Sequence, residues 1–377
     1  MFGKLAALLM GLCIVPALVQ SAPTTLEVSV TAAEAALNKE KLGEGIYVFR
    51  APLDLEQWTS TNSVVIINDD DVVVFDSCTR AVTARAVIAQ IRKLTAKPVR
   101  LLINSHWHQD HWSGNGEYAK AFPGLRIVST AQTRAFMSHM GPKFFVDETS
   151  GGANQERAAL AEAIKSGKLP DGSPLTAEER ARRERDLVIA DQFTAEVAAL
   201  PRVLPNLVYE SELAFWSGQR EFRLISVTGD ASASTVLYLP GEKLLVTGDA
   251  LVSPEDGAGP PPWTTTTYNI SRWLDSLRRL DTLDANIIVP GQGPAQHDKA
   301  YLRRTIELFA AVIDQVHAAL DRGLVKLADV QAAVDVDRIG LQYTPAATKP
   351  DAAFHQWVGI LSKKAMQESL DGAANIK

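Results

Sequence analysis

"NSHWHQDHWSGN", residues Asn104–Asn115, places three histidines and an aspartate within six residues. The whole 377-residue chain has only seven histidines, so the clustering calls for a chemical reason. The stretch follows "VRLLIN", whose apolar, β-branched run reads as a buried strand ending at the cluster. In an extended segment residues two apart point to the same side, so His106 and His108 converge on one point while Trp107 faces away. Asp110 and His111 come where the chain must turn before a helix from about Gly114 to Phe122, and aim at a second, adjacent point. Imidazole and carboxylate are the ligands zinc uses when it keeps an open position for water. The candidate metal ligands are therefore His106, His108, Asp110 and His111.

Composition narrows the class. Hydrophobic residues make up 46% of the chain and charged residues 22%, an ordinary balance for a folded globular protein. A formal charge of −6 with no Lys/Arg block argues against nucleic acid as a partner. Residues 1–22 have the pattern of a signal peptide: Lys4, the apolar run "LAALLMGLCIVPALV", then small residues suited to cleavage after Ser21 or Ala22. The expectation is an exported, periplasmic or secreted protein with no stable membrane span once that run is removed; it is short for a span. Leu12 stands before Cys13 where a lipoprotein signal needs a small residue. Cys78 would be the one cysteine left, which excludes an internal disulfide and a cysteine-rich zinc site.

Along the chain, "GIYVF" (Gly45–Phe49), "SVVIIN" from Ser63 and "VVVFD" ending at Asp76 read as short strands separated by turns. Val87, Ile91 and Leu94 fall at i, i+4 and i+7, which predicts an amphipathic helix over 81–94. "RIVST" reads as another strand. Residues from about 141 to 204 carry no strand signal, and Thr176 with Glu179 three residues on is a capping-box pattern before a long helix. This segment is read as a helical insertion with a solvated charged face. Strands return over 221–227, 235–240, 243–249 and 286–291, with the Gly/Pro-rich "SPEDGAGPPPWTTTT" as a loop between them. From Asp298 onward the pattern is helical.

The order of motifs carries a family resemblance. His-x-His-x-Asp-His in "HWHQDH", Asp76 closing "VVVFD", Asp249 in "VTGD" and the later "VPGQGP" (Val289–Pro294) together resemble the metallo-β-lactamase superfamily. The resemblance runs from about Leu42 to Pro294, the insertion excepted. It implies an α/β fold, a four-layer αββα sandwich with metal at one edge of the two sheets. The expected domain spans 42–300, interrupted by the insertion and followed by a C-terminal helical extension over 301–377. It also implies Asp249 as a ligand bridging two metals. Two positions depart from the family pattern: Asp230 in "GDASAS" and Gln292 in "VPGQGP" stand where histidines are usual. Asp230 still offers an anionic oxygen, so His106, His108 and Asp230 form an expected three-ligand first site. Gln292 is neutral and a poor zinc ligand, at most a weak contact, so the second ion is expected to bind weakly or not at all.

The resulting expectation is Zn²⁺, one or two ions, in a hydrolase acting on an ester, lactone, lactam or related bond of a small-molecule substrate. An ion with an open position brings the pKa of its water to about 7, and Asp110 is placed to orient that water or take a proton. A true β-lactamase is less favoured. The contrasting class is a catalytically degenerate relative acting as a binding or scaffold protein. Asp76 is expected to accept hydrogen bonds beside the ligands rather than bind metal. Trp112 and Trp263 are candidates for pocket lining or packing, His297 for replacing the missing ligand, and His139 for the surface. Cys78 is expected to be buried and inert. The insertion and extension are expected to shape the substrate entrance.

Overall fold

The computed structural model describes residues 28–56, 60–139, 151–169, 172–253, 269–343 and 352–374. The signal-like segment, Trp263 and most of the Gly/Pro-rich loop lie outside the described residues.

A seven-stranded sheet runs in chain order, β1 (Asn38–Gly43), β2 (Ile46–Arg50), β3 (Asn62–Ile67), β4 (Val72–Phe75), β5 (Val99–Ile103), β6 (Arg126–Thr130) and β7 (Leu207–Tyr209). The first four strands pair antiparallel, while β4, β5, β6 and β7 pair in parallel. The parallel pairs need long crossovers, and helices supply them: α3 (Ala81–Leu94) between β4 and β5, and α4 (Asn115–Ala121) between β5 and β6. Before these come the short α1 (Val30–Ala36) and α2 (Leu53–Glu56). After β6 the chain forms α5 (Ala131–His139), α6 (Gly151–Ser166) and α7 (Ala177–Ala199) before returning as β7.

The second sheet has the order β12-β11-β10-β9-β8, made from β8 (Glu212–Ser217), β9 (Arg220–Val227), β10 (Ser234–Leu239), β11 (Leu244–Gly248) and β12 (Ile287–Pro290). Between β11 and β12 lies α8 (Ile270–Asp281). The chain closes with α9 (Ala300–Asp321), α10 (Leu327–Ala332), α11 (Val336–Tyr343) and α12 (Ala352–Ala374).

Strand alternation sorts the side chains into layers. Val64, Ile66, Val73 and Phe75 point between the sheets and meet Phe222, Leu224, Leu237 and Val246. Their neighbours Val65, Val72 and Val74 point outward onto Val87, Ile88 and Ile91 of α3. On the far side Val236, Tyr238 and Leu245 of the second sheet pack against α8, α9 and α12. Both faces of both sheets are thus covered, which explains why the central strands read as continuous apolar runs. The expected αββα sandwich is present, and α9 and α12 belong to its outer helical layer. Among the described residues no helix is long and apolar enough to cross a membrane.

Several elements differ from the sequence reading. Strands β1, β7 and β8 are additional to those read from the sequence: β1 is polar ("NKEKLG") and exposed or half-buried throughout, so it lacks the apolar signal of a strand and forms because it pairs with β2. The histidine stretch also does not continue the strand beyond Ile103. It bends over 106–108 and makes a 3-10 turn at Gln109–His111.

Candidate metal centre

The centre forms where four loops meet at one edge of the sandwich. These follow β4 (Asp76), β5 (the histidine stretch), β9 (Asp230) and β11 (Asp249), with Gln292 after β12 lying beside them. Although the stretch bends, His106 and His108 still converge, His106 Nε2 lying 2.8 Å from His108 Nδ1. Asp230 joins them, with one oxygen 3.0 Å from His108 Nδ1 and the other 3.8 Å from His106 Nε2. His111 Nε2 faces Asp110 at 3.1 Å and Asp249 at 3.3 Å. Two overlapping donor sets result: His106, His108, Asp230 and Asp249, and Asp110, His111 and Asp249, each with donor atoms within 4.8 Å of one another. Asp249 belongs to both.

Glycines let the loops approach so closely. Gly248 has φ +50, and a Cβ there would stand 2.6 Å from the Cβ of Ser105. At Gly291 a Cβ would fall on the Asp249 carboxylate. Gly248 and Gly291 are thus steric requirements of the centre.

Behind the donors, Asp76 holds the histidine stretch in place. Its carboxylate accepts from Ser105 N at 2.7 Å and Ser105 Oγ at 2.7 Å, and lies 2.7 Å from His111 Nδ1. That contact puts the proton of His111 on Nδ1 and aims Nε2 into the centre. Asp76 itself has φ 61 and Cys78 φ 70, left-handed values that non-glycine residues rarely adopt. Thr61 donates to Asp110 Oδ2 at 2.8 Å, and Gln292 Nε2 donates to Asp110 at 3.0 Å and to Asp249 at 3.3 Å. Gln292 is therefore a contact of the second donor set through its amide N–H.

The electrostatics are those of too many acids in too little water. Four carboxylates, Asp76, Asp110, Asp230 and Asp249, are buried or half-buried around three imidazoles. Burial pushes Asp249 up to about 6 against the pull of His111. Burial also opposes the charge on His111, but Asp110, Asp249 and Asp76 outweigh it and hold this imidazole well above its usual value. Asp110 is held below the usual carboxylate range because His111 overcomes its burial. His106 lies well below the ordinary imidazole value, through burial and the neighbouring His111 and His108, so it presents a neutral nitrogen. His111 Nε2 and Asp249 Oδ1 are buried 3.3 Å apart, and neither makes a hydrogen bond. Such an arrangement demands positive charge, and its nitrogen and oxygen donors suit a divalent cation.

The other candidates separate cleanly. Trp112 is fully buried and donates to Trp107 O at 2.8 Å, so it is a packing anchor and not pocket lining. His297 is exposed and sits 3.4 Å from Glu40, so it does not replace the missing ligand. His139 is exposed at the end of α5 and Cys78 is a buried free thiol. Sequence reading missed Thr61 and Ser105. Ser105 lay inside the quoted motif, but Thr61 has no local signal.

Comparison with known proteins agrees with this architecture. The family model for the metallo-beta-lactamase superfamily matches residues 57–292, more than half of the chain. The chain belongs to the metallo-beta-lactamase superfamily. Within it, a linear primary-alkylsulfatase of Pseudomonas sp. (strain ATCC 19151) is 23% identical over 259 residues, 68% of this chain and 46% of the relative. The solved structure of the stereoselective inverting sec-alkylsulfatase Pisa1 from Pseudomonas sp. shares the fold, at 16% identity and a TM-score of 0.55. That match covers 88% of this chain and 50% of the other. A metallo-beta-lactamase from Pontibacter korlensis aligns over 73% of this chain and 99% of its own, at 16% identity and a TM-score of 0.48. The chain spans about half the length of the alkylsulfatases it matches.

Proposed function

We propose that the protein is an exported, zinc-dependent hydrolase of small-molecule esters, and that alkyl sulfate esters are the substrate class to try first. The observation that carries the reading is the pair of donor sets sharing Asp249. The sulfate-ester preference draws on the alkylsulfatase relative, and the expectation of export on residues 1–22.

His106 Nε2, His108 Nδ1 and Asp230 would hold the first ion, with Asp249 shared. His111 Nε2 and Asp110 would hold the second. Bound there, zinc supplies an activated water near neutral pH and positive charge opposite the oxygen that gains charge during attack. The chain's own contribution is orientation and proton handling. Asp76 fixes the tautomer of His111, and Ser105 Oγ lies 3.0 Å from His106 Nδ1, aiming the other nitrogen inward. Thr61 and Gln292 pin one oxygen of Asp110, which stays ionised and can accept a hydrogen bond from the attacking water.

The contrasting reading, a binding protein without catalysis, draws on Gln292, whose amide spans Asp110 and Asp249 where the family pattern has a histidine. Metal content per chain, measured on protein purified without chelator, decides between them together with hydrolysis of an alkyl sulfate, a carboxylic ester, a lactone and a β-lactam. Zinc with turnover of any member of the panel supports the hydrolase, and turnover of the alkyl sulfate supports the substrate class. Zinc without turnover points to binding, and metal-free protein without turnover overturns the hydrolase.

A further inference from the structure

The helical insertion meets the centre from behind. Of the 23 residues of α7, only Phe193 and Val197 are buried. These two, with Glu196, fall at i, i+3 and i+4 and so share one face. Phe193 and Val197 pack into a small apolar cluster with Trp107, Trp112, Met137 and Ala231. Trp107 stands between His106 and His108 in sequence, and its ring centroid lies 4.1 Å from that of His108. Ala231 follows Asp230. The insertion therefore touches the two loops that supply His106, His108 and Asp230.

Polar contacts tie the same helix to the third loop. Glu196 accepts from Arg80 Nε at 3.0 Å and Nη2 at 2.8 Å, and Arg80, 3% exposed, also donates to Leu55 O at 2.7 Å. Arg80 ends the turn that begins with Asp76. Beyond α7, Val203 O accepts from Asn115 Nδ2 at 2.9 Å, and Asn115 Oδ1 accepts from Asn104 Nδ2 and Ser77 Oγ, each at 3.0 Å. A helix that merely decorated the surface would not converge on these residues with its few buried side chains.

We propose that the C-terminal half of α7 is a clamp on the ligand loops, and that Phe193 and Glu196 are positioning residues for the metal centre, Phe193 behind the loops of His106, His108 and Asp230 and Glu196 behind the loop of Asp76. The inference rests on the metal-centre reading above. Without the clamp, Trp107 and Ala231 lose their common backing, His108 and Asp230 sample more orientations, and the ion leaves faster. The clamp also reaches the second set, because Trp112 of the cluster follows His111 and Arg80 lies on the loop of Asp76.

The test uses the full-length protein loaded with zinc, and separately with cobalt. Release to a colorimetric chelator is followed for wild type, Phe193→Ala, Glu196→Gln and, as control, Val188→Ala, a 46%-exposed position on the same helix. Phe193→Ala and Glu196→Gln are expected to speed metal release by about tenfold or more, in line with other residues that support metal ligands. They are also expected to alter the cobalt absorption spectrum, with circular dichroism unchanged; Val188→Ala is expected to match wild type. Release and spectra indistinguishable from wild type in both variants overturn the clamp, as does acceleration that merely follows loss of folded protein. Glu196→Gln keeps the helix's apolar contact, so it serves if Phe193→Ala does not fold. A wild type that takes up no metal overturns the metal-centre reading instead.

Discussion

Asp76 shows how much of the centre depends on a residue outside the donor sets. It takes the left-handed conformation, accepts both donors of Ser105 and faces the outer nitrogen of His111. Asp76→Asn keeps the shape but removes the charge that holds the proton on His111 Nδ1. Metal affinity is expected to fall about 10–100-fold, measured by competition with a chelator, with the fold intact. Gln292→His restores an imidazole beside Asp110 and Asp249, and metal per chain measured by elemental analysis is expected to rise. Asp230→Ala, which takes an anionic donor from the first set, is expected to lower it. Glu56 makes a different prediction. Burial raises its pKa although Thr79 and Arg80 favour the charged form. Its folded value lies above its unfolded one, so its contribution to stability is full below the unfolded pKa and fades as pH rises through the folded one. Glu56→Gln is expected to flatten that part of the stability–pH profile in denaturant titrations.

At the scale of elements, the ends of helices join distant parts of the chain. Glu368 on α12 accepts from the N–H groups of Ile270 and Ser271 and from Ser271 Oγ, closing the N-terminus of α8 from nearly 100 residues away. A carboxylate there satisfies free donors and meets the positive end of the helix dipole. Glu368→Ala is expected to cost about 1–2 kcal/mol of stability, read from chemical denaturation. The capping box on α7 was legible because its partners are three residues apart, and Thr176 and Glu179 do bond reciprocally. Nothing local could disclose the Glu368 cap, nor strand β1, whose polar residues pair only because β2 offers a free edge.

At the scale of the molecule, the layer between the sheets holds the two halves of the centre in register. The loops after β4 and β5 come from one sheet and those after β9 and β11 from the other, so the donor sets exist only while the sheets stay packed. Leu237, fully buried among Val246, Phe222 and Leu224, is a central contact. Leu237→Ala is expected to cost about 2–5 kcal/mol in denaturation and to weaken metal retention in the same protein. A loss of stability without loss of metal would show that the centre is braced locally.

By itself the sequence determined most of the strands and the clustering of donors in the histidine stretch, because short apolar runs and closely spaced ligands are local patterns, while the αββα layering was implied by the family resemblance. It also pointed to Asp230 and Asp249, through motifs whose order it preserves. Only the tertiary structure decided that His297 is remote and Trp112 is a packing anchor, and that Thr61, Asp76 and Gln292 share one hydrogen-bonded centre. It alone brought Phe193 and Glu196 against the ligand loops. The physical reason is separation along the chain: these contacts join residues tens to hundreds of positions apart, and only the packing of two sheets and an inserted helix brings them within bonding distance.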